Sequence, residues 1–233
     1  MGSSRLAGKV LKDLGGKSML ARVTDRTKRS QKVHQVIVAT STDPRDSEIV
    51  SECQKLQVLC FRGSEQDVLD RYYRAAKEFG SDSIVRITSD CPFIDPQVID
   101  QVVSETLASG ADYGSNTLAR TYPRGLDVEV FSFQALEKAW KEAKEPAQRT
   151  HVTPYLYQNP RFFRTCSVVG SKDWSRYRWT VDTIEDYEFA LAIYSKFKNS
   201  DQFDYQNLLD LMEKNSDLVK MNQHIQQKSL HEG

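Results

Sequence analysis

Apolar positions along the chain fall into two rhythms. Short, nearly continuous runs bounded by turn residues, at Val33 to Ala39, Val58 to Phe61 and Ser83 to Ile87, predict strands buried on both faces. Between them apolar residues recur three and four apart. This predicts helices near Met19 to Arg29, over Arg45 to Leu56 (Ile49, Val50, Cys53, Leu56), and behind Asp67 (Val68, Leu69, Tyr72, Ala76, Phe79). A further helix starts at Pro96, because proline is preorganised for a first helical turn, carries Val98, Ile99, Val102, Val103 and Leu107 inward, and stops at Ser109-Gly110. Strand alternating with helix predicts parallel βαβ units and an α/β fold.

Beyond Asp112 the periodicity weakens. Leu126 to Phe131 alternates apolar with acidic residues, which predicts a half-exposed strand with Asp127 and Glu129 on one face. Helices follow over Phe133 to Lys144 and Tyr205 to Asn215, and strands over Phe162 to Val169 and Arg178 to Thr183. Thr183 and Asp186 form a capping pair for a helix carrying Tyr187, Ala190, Leu191, Tyr194 and Phe197. Residues 1–233 read as a single domain, with about 115–170 a subregion for substrate or dimer contacts, and the tail from Met221 to Gly233 reads as a frayed or partner-bound end.

Charge narrows the function. Lys plus Arg equals Asp plus Glu at 32 each, which argues against nucleic acid or an anionic membrane as partner. Cys53, Cys60, Cys91 and Cys166 are scattered without metal-ligand spacing, which points to reduced thiols in a cytoplasmic protein rather than to zinc or a disulfide framework. No apolar run approaches the roughly 20 residues of a membrane span.

Candidate chemistry gathers at strand ends, where open α/β sheets bind ligands. Asp90 follows the Ser83 to Ile87 run among hydroxyls and backbone oxygens, a donor set that suits Mg²⁺; an aspartate that merely closes a turn has the same local pattern, and both readings stand. Asp182, also at a strand end before a helix, is the natural second carboxylate for that metal, or else orders its own turn. In Met1 to Lys9, Gly2 and Ser3 would let backbone amides approach an anion while Arg5 and Lys9 supply charge, as a triphosphate needs; a solvated terminus is the alternative. Gly63-Ser64 offers backbone groups to a base or sugar, or simply caps a helix, and Asp127 with Glu129 either binds substrate hydroxyls or faces water.

Together, Met1 to Lys9, Phe61 to Glu65 with Asp67 to Tyr72, Thr88 to Pro96, Gly125 to Phe131, His151 to Tyr155 and Trp179 to Thr183 resemble one family, in its order, over nearly the whole chain. It is the family of cytidylyltransferases that activate acidic sugars as CMP-sugars, and within it the SpsF branch of spore coat polysaccharide biosynthesis. The resemblance implies a Rossmann-like mixed sheet flanked by helices, of the nucleotide-diphospho-sugar transferase type. It also implies CTP, Mg²⁺ and a small sugar-type acceptor as ligands, pyrophosphate as product, and a homodimer. By position it assigns Arg5 and Lys9 to the triphosphate, Gly2 and Ser3 to the phosphate loop, Gly63 and Ser64 to the base side, Asp90 and Asp182 to the metal, and Asp127 and Glu129 to the sugar.

Ala7 stands where that family has proline. Family members also carry a hydrophobic strand and an Ala-Arg pair just ahead of the position of Met1, so the resemblance implies a fold lacking its first, central strand and a chain unstable by itself. Two other functions fit parts of the pattern. One is a catalytically silent or partner-dependent paralogue. The other is a glycosyltransferase of related fold, against which the absence of an Asp-x-Asp motif counts.

Overall fold

The computed structural model describes residues 5–227. Up to residue 110 the elements follow the predicted alternation: α1 (Met19–Thr27), β1 (Ile37–Ser41), α2 (Ser47–Lys55), β2 (Leu59–Gly63), α3 (Val68–Glu78), β3 (Ser83–Arg86) and α4 (Pro96–Ser109). Beyond it come β4 (Tyr113–Ser115), β5 (Glu129–Ser132), α5 (Phe133–Glu142), α6 (Pro146–His151), α7 (Pro154–Gln158) and β6 (Thr165–Ser167). The chain continues through α8 (Ile184–Lys196), α9 (Tyr205–Lys214) and α10 (Ser216–Lys220). β1 starts later than its apolar run because its ladder with β2 begins only where Ile37 meets Leu59.

The strands form two groups. β1 and β2 pair in parallel, from Ile37 opposite Leu59 to Ser41 opposite Gly63. The second group has the order β3-β5-β4-β6, with β5 antiparallel to both neighbours and β4 parallel to β6. Between β1 and β3 there is a cavity of about 540 Å³ instead of a strand among the described residues.

β5 corrects one expectation. The period-two alternation over Leu126 to Phe131 is present, but the strand lies inside the sheet and is covered on both faces. Val128 and Val130 enter the core built with α1, α4, α8 and α9, whereas Phe131 packs with Tyr113 against Leu69, Leu136 and Leu156 from α3, α5 and α7. Glu129, on that second face, is buried and forms an internal polar cluster: Arg86 donates to it, as do Tyr113 Oη at 2.8 Å and Thr153 Oγ1 at 2.5 Å. An alternating acidic strand faces water only when nothing covers its polar side.

Two arginines of α1 tie the C-terminal helices to the sheet. Buried Arg26 donates to the carbonyl oxygens of Ile94, Asp201 and Phe203 at 2.7, 3.0 and 3.0 Å, while Arg22 reaches those of Leu14, Gly15 and Asn199 and the Asp201 carboxylate. Those carbonyls belong to loops and helix ends with no ladder partner, so the guanidinium groups satisfy acceptors that burial would otherwise leave bare.

Candidate active site

Each acid of the site is fixed by the segment that carries the other. Residues 178–183 do not form the predicted strand; a single bridge joins Arg178 to Arg124, and the segment runs across loop ends rather than along a neighbouring strand. Its amides find other acceptors. Trp179 N donates to Arg124 O at 2.7 Å and Val181 N to Asp90 O at 2.8 Å, while Thr180 Oγ1 donates to the same Asp90 carbonyl at 3.1 Å. Gly125 permits this crossing: its φ is +106°, and a Cβ there would stand 2.5 Å from the Trp179 carbonyl carbon. The turn after β3 and the turn before α8 are thereby locked together.

Lys9 completes the cluster. Its ammonium donates to Asp90 Oδ2 at 2.9 Å, Asp182 Oδ1 at 2.8 Å and the Val181 carbonyl at 2.9 Å, so all three of its N–H bonds are committed. The two carboxylate oxygens therefore lie no further apart than the sum of their distances to Nζ, 5.7 Å. Arg5 and Arg178 both approach the second oxygen of Asp182, each at 3.0 Å. Thr88 Oγ1 donates to Asp90 Oδ1 at 2.6 Å. Sequence reasoning brought Arg5, Lys9, Asp90 and Asp182 together, but it missed Thr88 and Arg178. Arg178 also grips the buried Asp186, which in turn accepts the amides of Asp182 and Thr183. The spacing of Arg178, Asp182 and Asp186 by four residues was the available signal. Gln227 and Asn222 close this network from behind, so the tail packs against the site at least to residue 227.

Electrostatics follow from this crowding. Burial pushes the Lys9 ammonium down, but Asp90 and Asp182 outweigh it and hold the group above the ordinary lysine value of 10.5. Burial likewise raises Asp182, and Lys9, Arg5 and Arg178 overcome it to hold the carboxyl below its usual range. A carboxylate that ionises more readily in the folded chain stabilises fully above the unfolded value of about 4, and that contribution fades as pH falls through the lowered value. A lysine that holds its proton more tightly stabilises fully below about 10.5, and its contribution fades as pH rises through the raised value. The difference in melting temperature between the wild-type chain and Lys9→Met is therefore expected to be flat between about pH 5 and 10 and to shrink beyond both ends; thermal melts across pH check this, and a difference that does not depend on pH contradicts it.

Residues 1–229 match the family model described as cytidylyltransferase. The chain belongs to the cytidylyltransferase family. An uncharacterised protein of Methanocaldococcus jannaschii is 42% identical over 233 residues, covering 99% of this chain and 94% of its own. The spore coat polysaccharide biosynthesis protein SpsF of Bacillus subtilis is 33% identical over 93% of this chain and 92% of its own. A solved cytidylyltransferase from Leptospira borgpetersenii superimposes with a TM-score of 0.91 at 36% identity, over 97% of this chain and 95% of that one. The fold is that of the nucleotide-diphospho-sugar transferases, with helices flanking a mixed sheet.

The donor set of this cytidylyltransferase fits a hard cation. Two carboxylate oxygens within 5.7 Å of each other, with Thr88 and the Val181 carbonyl beside them, are the ligands Mg²⁺ accepts at about 2.1 Å directly or through its waters. Lys9 Nζ lies between those oxygens, in the space that an ion bound by both carboxylates would take.

The other sequence-derived positions have partners of their own. Gly2 and Ser3 lie outside the described residues. Gly63 ends β2, and its carbonyl accepts Thr42 N at 2.8 Å. Ser64 is not the cap of α3, one of the two roles its sequence position allowed: Asp67 caps the helix by accepting Asp70 N at 2.9 Å, and Ser64 Oγ accepts Asp67 N at 2.9 Å. Asp127 is gripped by both terminal nitrogens of Arg120 at 2.6 and 2.9 Å, and the Glu129 carboxylate is engaged in its buried cluster. Arg124, which the sequence did not single out, has no side-chain hydrogen bond or ion pair among the described residues. Burial and Arg120 push its guanidinium down from its usual value.

Proposed function

We propose that this chain transfers CMP from CTP to a hydroxyl of a sugar or sugar-acid acceptor, releasing pyrophosphate, in the making of a surface polysaccharide. The observation that carries the reading is the Lys9 ammonium held between Asp90 and Asp182 with Arg5 alongside, in a chain of the cytidylyltransferase family. Phosphoryl transfer asks little covalent chemistry of a protein; positioning and neutralisation of charge carry most of the rate.

The acceptor oxygen bonds to the α-phosphorus as the bond from that phosphorus to the bridging oxygen breaks, pyrophosphate leaves with the electron pair, and the hydroxyl proton passes to solvent. Lys9 and Arg5 neutralise the leaving pyrophosphate, with Lys9 exchanging one carboxylate partner for a phosphate oxygen. Asp90 and Asp182 would hold Mg²⁺, which when bound supplies charge neutralisation to the phosphate oxygens. Arg178 positions Asp182 through their 3.0 Å contact, and Thr88 positions Asp90. Arg124, with no side-chain partner among the described residues, takes an anionic group of the acceptor, while Asp127, set by Arg120, faces its hydroxyls.

CTP is expected to be preferred over UTP and ATP by about 10⁴-fold in kcat/KM, because a buried site built to pair with one base leaves its polar groups bare against another. Pyrophosphate release with each nucleotide checks this, and comparable rates with UTP would remove the base-side assignment of Gly63 and Ser64.

A further inference from the structure

Two of the four cysteines meet at the turn between α2 and β2. Leu56 ends the helix and Gln57 reverses the chain with φ +52°, so that the Gln57 amide donates to Gln54 O at 3.2 Å and the Val58 amide to Cys53 O at 2.9 Å. These paired bonds fold the next residues back onto the last turn of α2. Side chains then alternate along β2: buried Val58 and half-buried Cys60 turn toward the helix, whereas Leu59 between them is exposed. Cys60 thus packs on the apolar cluster of Leu20, Ile49 and Cys53, with its thiol within hydrogen-bonding reach of the Cys53 thiol.

We infer that Cys53 and Cys60 form a redox-active dithiol, in which Cys60 is oxidised by a hydroperoxide and Cys53 closes the disulfide. Other small apolar side chains would fill this cluster equally well, so packing by itself does not call for thiols. The division of labour follows from how the two differ. Cys60 is partly open to solvent on β2, a strand bonded only to β1 among the described residues, and can meet a small oxidant. Cys53 is 1% exposed, and its one reactive neighbour is Cys60. The hydrogen bond from Cys53 and the charge of Arg62 bring the Cys60 thiol down to about 7, against burial and the opposing charge of Asp46. Cys60, burial and Glu52 together hold the Cys53 thiol far above the usual thiol range, so it keeps its proton.

Two steps make the bond. The Cys60 thiolate sulfur bonds to one oxygen of the hydroperoxide as the O–O bond breaks, and the departing oxygen takes up the proton that Cys60 had released to solvent. Sulfur is oxidised to a sulfenic acid and the peroxide is reduced to water or an alcohol. The Cys53 sulfur then bonds to that of Cys60, the S–O bond breaks, and water leaves with the Cys53 proton. A dithiol reductant restores both thiols. The disulfide ties the last turn of α2 to β2, and Val10 and Leu11, directly after Lys9, pack on the same cluster, so the bond forms against the segment that carries Lys9.

Tryptic mapping reads the bond without reference to catalysis, because cleavage after Lys55 and Arg62 leaves the two cysteines on separate peptides, 46–55 and 56–62. A few equivalents of hydrogen peroxide are expected to join these peptides in the folded wild-type chain, lighter than their sum by the two hydrogens lost, and dithiothreitol to separate them. In Cys53→Ser the sulfenic acid at Cys60 persists and is trapped by dimedone, whereas Cys60→Ser gives neither the crosslink nor a label at Cys53. Alkylation of Cys60 by iodoacetamide in the reduced wild type is expected to rise through a midpoint at about pH 7. Absence of the joined peptides from the oxidised folded chain overturns the proposal. A dimedone label on Cys53 in Cys60→Ser, or an alkylation midpoint in the usual thiol range, overturns the assignment of Cys60 as the attacking sulfur.

Discussion

Replacing Asp90 by asparagine is expected to lower pyrophosphate release from CTP by about 10³-fold, the scale on which removal of one preorganised charge-stabilising group acts. Asparagine keeps an oxygen to accept the Thr88 hydroxyl and fills the same volume, so the fold should survive with a loss of about 1–2 kcal/mol from the weakened Lys9 contact. Circular dichroism, a denaturant melt and a turnover assay on one preparation separate the two effects. Loss of activity in step with loss of structure would make Asp90 a scaffold residue, and activity within about tenfold of wild type would remove it from the chemistry.

Lys9→Met gives the second large effect, and in the opposite balance. Lys9 is the neutralising partner of two carboxylates whose side chains, like its own, are mostly buried. Removing one partner of a buried ionic cluster costs about 3–5 kcal/mol, because the remaining charges keep their desolvation without their attraction. Arg5 and Arg178 still face Asp182, which places the expected loss near the lower end, about 3 kcal/mol. On the proposal that Asp90 and Asp182 hold Mg²⁺ where Lys9 Nζ lies, millimolar Mg²⁺ should raise the melting temperature of Lys9→Met more than that of the wild type. A variant as stable as wild type, or one indifferent to Mg²⁺, contradicts the shared position.

The cluster was legible because its members stand at element ends that local pattern marks: Asp90 before Pro96, Asp182 before the Thr183 cap, and Lys9 in a Gly- and Ser-rich loop. The residues that hold those members in place were not. Arg178 and Thr88 act through contacts set by the crossing of two loops, and Arg22 and Arg26 look like the polar side of α1 until the carbonyls of residues 199–203 fold over them. β5 shows the limit of periodicity from the other side. Its alternation gives the two faces correctly and says nothing of whether the polar one meets water, since that depends on α3, α5 and α7 packing there. Residues 178–183 carry β-branched and aromatic residues and yet form no ladder, because their amides are taken by Arg124 and Asp90 before any strand can align with them.

The central claim is that the Lys9, Asp90 and Asp182 cluster is where CTP reacts. It is tested most directly by pyrophosphate release from CTP and Mg²⁺ against a panel of sugar acids and sugar phosphates, with the wild type and Asp90→Asn side by side. The account predicts acceptor-dependent release by the wild type, formation of the matching CMP-sugar in equal amount, and a rate about 10³-fold lower in the variant. Release that proceeds equally well in the variant, or no release with any acceptor from the wild type, would contradict it.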